Sequence, residues 1–193
     1  MSAGKQKTKA EILDIVIPLF ARSGYAGVSM RQIARAVGIK AASLYHHFPD
    51  KQTLYVQALA QAFSRRTALL HDALALSADP EEQFRRLVHS LCRLVHDDTD
   101  FSRLIQREIM DGDEKRLQLL ADNVFGSFFQ EMTILCRALA PDRDPHLLAI
   151  SILGLIIYHF QITPIRSFLP GFQESHNDPE AVANHVISLL KNG

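Results

Sequence analysis

The chain of 193 residues has no tryptophan, only two cysteines, and just nine glycines and eight prolines. So little glycine and proline excludes a collagen-like or low-complexity chain. Two cysteines, Cys92 and Cys136, cannot form the disulfide framework of a small secreted domain. They fit a reducing compartment, and a cytoplasmic protein is expected. Strand-like alternation is missing too. Apolar residues recur three and four apart, which predicts an all-α chain of about nine helices. No nucleophile elbow, glycine-rich phosphate loop or paired-carboxylate constellation occurs, so neither an enzyme nor a cofactor is expected.

Long apolar runs are also scarce. The 21 residues from Pro145 to Ile165 carry no Asp, Glu, Lys or Arg. Yet Pro145, His146, Ser151, His159, Gln161, Thr163 and Pro164 interrupt them, and the strongly apolar centre is only Leu147 to Tyr158. A helix buried in a core or a subunit interface is expected there, not a membrane span. Lys5, Lys7 and Lys9 imitate the start of a signal peptide, but Glu11 and Asp14 break any apolar segment behind them.

The charges that are present sum to zero, with 21 basic and 21 acidic side chains, but they are unevenly placed. Residues 1–51 hold eight basic and three acidic side chains, and residues 52–193 hold 13 and 18. A basic head on an acidic body is the asymmetry of a module that meets a polyanion. The boundary expected from charge divides the chain into domains 1–51 and 52–193.

Helix starts and stops are written locally. Ile12, Ile15, Val16, Leu19 and Phe20 form the stripe of a first helix, bent at Pro18 and ended by a left-handed Gly24. Ser29 and Gln32 have the spacing of a capping box for a short second helix ended at Gly38. A third short helix runs from about Lys40 to His47. Asp50 caps a long fourth helix with Leu54, Ala58, Ala62, Leu69 and Leu74 inward. Asp79-Pro80, Asp144-Pro145 and Asp178-Pro179 mark later starts, with Asp as N-cap and Pro at the first helical position.

Short helices joined at a glycine in residues 28–51, VSMRQIARAVGIKAASLYHHFPDK, have the pattern of a helix-turn-helix unit. The second helix of such a unit enters the DNA major groove with its first residues at base edges. Those residues are Lys40, Ala41, Ala42 and Ser43, where small side chains permit close approach and an alanine can touch a thymine methyl. Arg31 and His46 are further candidate DNA contacts. Tyr45 and His47 can donate to phosphate, and Lys51 sits in the first turn of the next helix, where charge and free N–H groups favour an anion.

Residues 9–57 resemble the DNA-binding domain of the tetracycline-repressor (TetR) family of bacterial regulators. The resemblance rests on Leu19-Phe20, Gly24-Tyr25, Val28-Ser29, Ile33-Ala34, Val37-Gly38-Ile39, Leu44-Tyr45, His47-Phe48, Lys51 and Leu54. It implies a homodimeric regulator, most simply a repressor, on a palindromic operator. It also implies Ser29, Tyr45, His47 and Lys51 as phosphate contacts, Ala41 and Ser43 as groove-facing residues, and Phe48 as packing. Lys40 and Ala42 depart from the family, which often has Ser or Thr and Gly there; Lys40 cannot cap its helix.

In the resembled family the C-terminal domain commonly holds a small apolar or amphipathic effector. The residues expected to line such a cavity are Phe101, Ile105, Phe128, Met132 and Tyr158, with His159 or Cys92 as polar points. Spacing on the late helices suggests a four-helix dimer interface of Ile150, Leu153, Gly154 and Ile157 with Val182, His185, Val186 and Leu189. The alternatives are control by a protein partner, by a Cys92–Cys136 redox pair, or by a metal on His89, Cys92 and His96. Core packing is the plainer reading of those last residues, and no metal is expected.

Overall fold

The computed structural model describes residues 7–75 and 77–191, without the side chains of Arg65, Thr67, Leu69, Ala73 and Ala75. Lys5 and the Leu69 side chain, both used above, lie outside what is described. The described residues form eleven α-helices and no strand. They are α1 (Lys9–Ser23), α2 (Met30–Val37), α3 (Ala41–His47), α4 (Lys51–Ala75), α5 (Pro80–Asp97), α6 (Thr99–Asp111), α7 (Glu114–Leu120), α8 (Gly126–Leu139), α9 (Pro145–Gln161), α10 (Thr163–Arg166) and α11 (Pro179–Lys191). A wide π turn occupies Ala121–Phe125 and a 3₁₀ turn Glu174–Asn177. The expected count of about nine fell short because short helices such as α10 have too few turns to show a period.

The expected caps form. Ser29 accepts from the Gln32 N–H while the Gln32 side chain accepts from the Ser29 N–H. Asp50 accepts from Thr53 at 2.6 Å, Asp79 from Glu81, Asp144 from Leu147 and Asp178 from Glu180. Thr8 adds a capping box with Glu11 at the start of α1. The α1 helix runs through Pro18 to Ser23. Gly24 has φ 70° but ψ 172°, so it turns the chain through an extended positive-φ conformation and not the left-handed cap expected.

The chain divides into two compact units that do not follow the charge boundary near Lys51. One comprises residues 1–65 and 99–126, and the other 66–98 and 127–193. In the first unit α1 packs on α2 and α6. Its core includes Ile12, Phe20, Ile33, Leu44, Phe48, Leu54 and Tyr55, all nearly or fully buried. The Phe20 and Tyr25 rings both meet Tyr55, at 4.7 and 5.0 Å between centroids. Leu54, Ala58 and Ala62 face this core as expected.

In the second unit α11 packs on α5 and α9, burying Leu87, Ile152 and Val186 among others. Arg93 donates to Glu180 at 2.6 Å and Lys191 pairs with Glu81 at 2.7 Å, which ties α11 to α5 at two points. The buried Arg166 donates to the carbonyls of His159 and His176, closing the end of α9 against the 3₁₀ turn. Leu74, expected inward, is half-buried.

Gly38 ends α2 in the left-handed region, with φ 78° and ψ 30°. A Cβ added there would meet nothing within 4 Å, so the cost of a side chain lies in the backbone alone. Gly38→Ala is expected to destabilise the protein by about 1 kcal/mol. Thermal unfolding should register this as a melting temperature lower by about 2–4 °C; an unchanged value would show that the backbone at 38 relaxes elsewhere.

Candidate nucleic-acid interface

The unit formed by α2 and α3 is amphipathic on a small scale. Met30, Ile33, Ala34 and Val37 of α2 and Leu44 of α3 are buried, and Phe48 seals the end of α3 with its N–H on the Leu44 carbonyl at 2.9 Å. What remains outside is the candidate surface. Arg31, Lys40, Ala42, Ser43, Tyr45 and His46 are exposed, and Ala41 and His47 are half-buried. Arg35, one turn beyond Arg31 on α2, is exposed as well. Sequence reasoning counted its charge but did not place it on this surface.

Lys40 occupies the N-cap of α3 without a side-chain cap bond, as expected from its chemistry. Its charge therefore stays in solvent at the end of α3 where backbone N–H groups are free. Ser29 is exposed, but its hydroxyl donates to Gln32 at 2.7 Å. A phosphate on Ser29 must share it with the capping box.

Lys51 differs from its expectation. Its ammonium donates to the carbonyls of Tyr25 at 2.9 Å and Val28 at 3.0 Å and lies 4.1 Å from the centre of the Tyr25 ring. Two of its three protons are thus committed to the turn between α1 and α2, so it acts as a clamp with at most one proton left for an anion. Burial, with help from the Arg116 charge, holds its pKa below the ordinary lysine value. Its place in the first turn of a helix could not show that carbonyls from 26 and 23 residues earlier would arrive there.

Behind the clamp is a polar cluster that sequence reasoning missed. Glu108 on α6 is buried, 1% exposed. It accepts from the Tyr55 hydroxyl at 2.9 Å and from Arg116 Nε at 2.6 Å. Arg116, also buried, lies over the Tyr25 ring at 4.2 Å and pairs with Asp113 at 3.3 Å. Burial favours loss of the Arg116 proton, but the hydrogen bond and charge of Glu108 outweigh it and raise its pKa. Burial and the neighbouring Glu108 charge likewise raise Tyr55 far above the usual phenol range, so it remains a donor. A glutamate on the inward stripe of α6 was the available signal.

The residues expected around an effector fall in both units. Phe101 is buried and Ile105 half-buried in the first; Cys92, Phe128 and Met132 are buried and His159 half-buried in the second. Tyr158 is 62% exposed and points away from the core of its own unit. Of the expected interface, Ile150, Gly154, Ile157, His185 and Leu189 are exposed and Leu153 is half-buried. Val182 and Val186 are not available to a partner, because they are buried where α11 meets α5 and α9.

His89 pairs with Glu180 and His96 with Asp97, each at 2.8 Å. Among the described residues no group of three His, Cys, Asp or Glu side chains is arranged to hold a metal ion. No helix among them is long and apolar enough to cross a membrane.

The short α2 and α3, joined at Gly38 with their polar sides in solvent, have the form of a helix-turn-helix unit. Residues 12–58 match the profile of the bacterial regulatory proteins of the tetR family, about a quarter of the chain. The segment is 44% identical over 55 residues to the biofilm operon icaADBC HTH-type negative transcriptional regulator IcaR of Staphylococcus aureus (strain Newman). That alignment covers 28% of this chain and 30% of IcaR, under a third of either. The fold matches over almost the full length. The transcriptional regulator FadR from Bacillus subtilis, solved with stearoyl-CoA, aligns with TM-score 0.79 and 15% identity over 95% of this chain and 97% of FadR. AibR, solved with isovaleryl coenzyme A and operator DNA, aligns with TM-score 0.74 and 21% identity over 94% and 96%.

The two thiols bear on a redox function. Burial, with the Glu180 charge, pushes Cys92 up to about 12, and burial also raises Cys136. At pH 8 about one Cys92 thiol in ten thousand is then the reactive thiolate. A disulfide reagent should modify native Cys92 on the order of a thousandfold more slowly than a free cysteine. Rapid modification without unfolding would restore the redox reading.

Proposed function

We propose that the chain is a cytoplasmic transcriptional repressor that binds a palindromic DNA operator as a homodimer and is released by a small effector. The observation that carries this is the solvent-facing set on α2 and α3, with Arg31, Lys40, Ser43, Tyr45 and His46 exposed around a buried Leu44 and Phe48. In this reading Lys40, Ala41, Ala42 and Ser43 meet base edges, while Ser29, Arg31, Tyr45, His46 and His47 hold phosphates. Lys51 holds the turn before α2 and adds one proton to a phosphate. IcaR, which shares this segment, is a negative transcriptional regulator, and the solved AibR complex contains operator DNA.

The effector is an amphipathic acid thioester in our reading. FadR and AibR, with the same fold, were solved with acyl-CoA ligands of different chain length. Cys92, Phe128 and Met132 are buried in the second unit, where apolar and deformable side chains suit an acyl chain. The ligand acts by binding better to a conformation that holds DNA less well. A hundredfold release needs about 2.7 kcal/mol of coupling.

The test is selection of duplexes from a random library, followed by anisotropy titrations at several salt concentrations. Selected sites should be two-fold symmetric, and affinity should fall steeply as salt rises. Acyl-CoAs of graded length should release the duplex, and one length should do so best. Failure to enrich any sequence would remove the operator reading. Enrichment without release by any acyl-CoA would leave a DNA-binding protein with a different effector class.

The homodimer is tested separately. Leu147, Ile150, Ile157 and Tyr158 leave an apolar exposed face on α9, and a Cβ added at Gly154 in that face meets nothing within 4 Å of its own chain. Gly154→Leu should therefore leave the subunit fold intact and shift sedimentation toward monomer, because the added side chain separates the two helices. An undisturbed dimer would place the interface elsewhere.

A further inference from the structure

We propose that Glu108 is a positioning residue for DNA reading: by neutralising Arg116 it lets Lys51 hold the Tyr25–Val28 turn that aims α2 and α3. This rests on the DNA-binding reading above and goes beyond the residues of the binding surface, since Glu108 and Arg116 lie on α6 and α7.

The helices that would read DNA have eight and seven residues, too few to keep a fixed direction on their own. Their direction is inherited from what holds the turn leading into α2. That turn is held on its backbone by Lys51, through the carbonyls of Tyr25 and Val28. It is held on its side chain by the Tyr25 ring, which meets the Tyr55 ring. Two cations lie over that ring, Lys51 at 4.1 Å and Arg116 at 4.2 Å. They repel each other, and water screens the repulsion only in part, because Arg116 is buried while Lys51 and Tyr25 are half-buried.

Glu108 is the buried counter-charge that makes this arrangement tolerable. One of its oxygens takes Arg116 Nε at 2.6 Å and the other takes the Tyr55 hydroxyl at 2.9 Å. Asp113 and Asp111 also face the guanidinium, at 3.3 and 3.9 Å, but both are largely exposed and screened. Without the Glu108 charge, Arg116 and Lys51 share one ring with less compensation. Relief comes by moving one of them outward, and either movement loosens the turn. Loosening it displaces Ser29, the cap of α2, and with it the groove-facing residues of α3. Placement within about half an ångström is what a binding constellation needs.

The experiment uses the full-length protein and a duplex selected by the wild type. Glu108→Gln keeps the shape and one acceptor but removes the charge. It should lower affinity for the selected duplex about tenfold, the scale of a lost charged hydrogen bond. Glu108→Gln combined with Arg116→Gln removes the repulsion as well and should regain most of that loss. Amide exchange at residues 25–28 should quicken in the single variant and recover in the double. A double variant that binds no better than Glu108→Gln overturns the proposal, as does a single variant that binds like wild type despite a lowered melting temperature. If Glu108→Gln does not fold by circular dichroism, Tyr55→Phe decides. It removes one hydrogen bond to Glu108 and should weaken binding several-fold; unchanged binding overturns the proposal. A wild type that selects no duplex instead removes the DNA-binding reading, so the two failures are distinguishable.

Discussion

A carboxylate with 1% of its surface exposed is costly to bury without hydrogen-bond partners, and Glu108 has two. Much of the first unit depends on that constraint. Tyr55 must come from α4 and Arg116 from α7 to meet it, so three helices are fixed to one point. The guanidinium then covers Tyr25, and the same ring accepts Lys51. A buried ion pair of this kind adds little net stability over an apolar core, yet removing one partner costs about 3–5 kcal/mol. Its value lies in permitting one arrangement and penalising others. Here the arrangement it permits is the one that holds the turn before α2.

The outer surface follows from the opposite requirement. Each of α2 and α3 has barely two turns, so each can bury only one narrow stripe. Leu44 and Phe48 take the buried positions of α3, and every other residue type on it is small, polar or able to donate a hydrogen bond. Ala42 and Ser43 let a surface approach closely, while Lys40 leaves its charge at an uncapped helix start. The positive surplus of residues 1–51 is therefore not spread at random, because Arg31, Arg35 and Lys40 all stay in solvent. Lys51 differs from these three, since its ammonium is turned toward the Tyr25 and Val28 carbonyls.

The legible features were the local ones. The capping box at Ser29, the Asp-Pro starts, the glycine stop at Gly38 and the inward Leu54, Ala58 and Ala62 need only neighbours within one or two turns. The misreadings share a cause. On α11 apolar residues occur on more than one side, so periodicity could not tell that Val182 and Val186 face α5 and α9 while Leu189 stays outside. Tyr158 was expected to line an effector cavity, yet it is exposed, because the apolar centre of α9 does not reveal which of its sides is buried. Gly24 was read from residue preference, which specifies a positive φ but not the ψ that sets the direction of the exit.

By itself the sequence determined an all-helical chain, the starts of most helices, and a helix-turn-helix segment that matches the tetR-family profile. These depend on hydrogen bonds and side-chain spacing within a few residues, and such information is written contiguously. Only the tertiary structure decided that residues 99–126 join the N-terminal unit, that Lys51 clamps the Tyr25–Val28 turn, and that Glu108 and Arg116 stand behind it. Those facts join groups as many as 91 positions apart, Tyr25 and Arg116. A buried charge selects its partners by proximity in space, and no local period encodes that proximity.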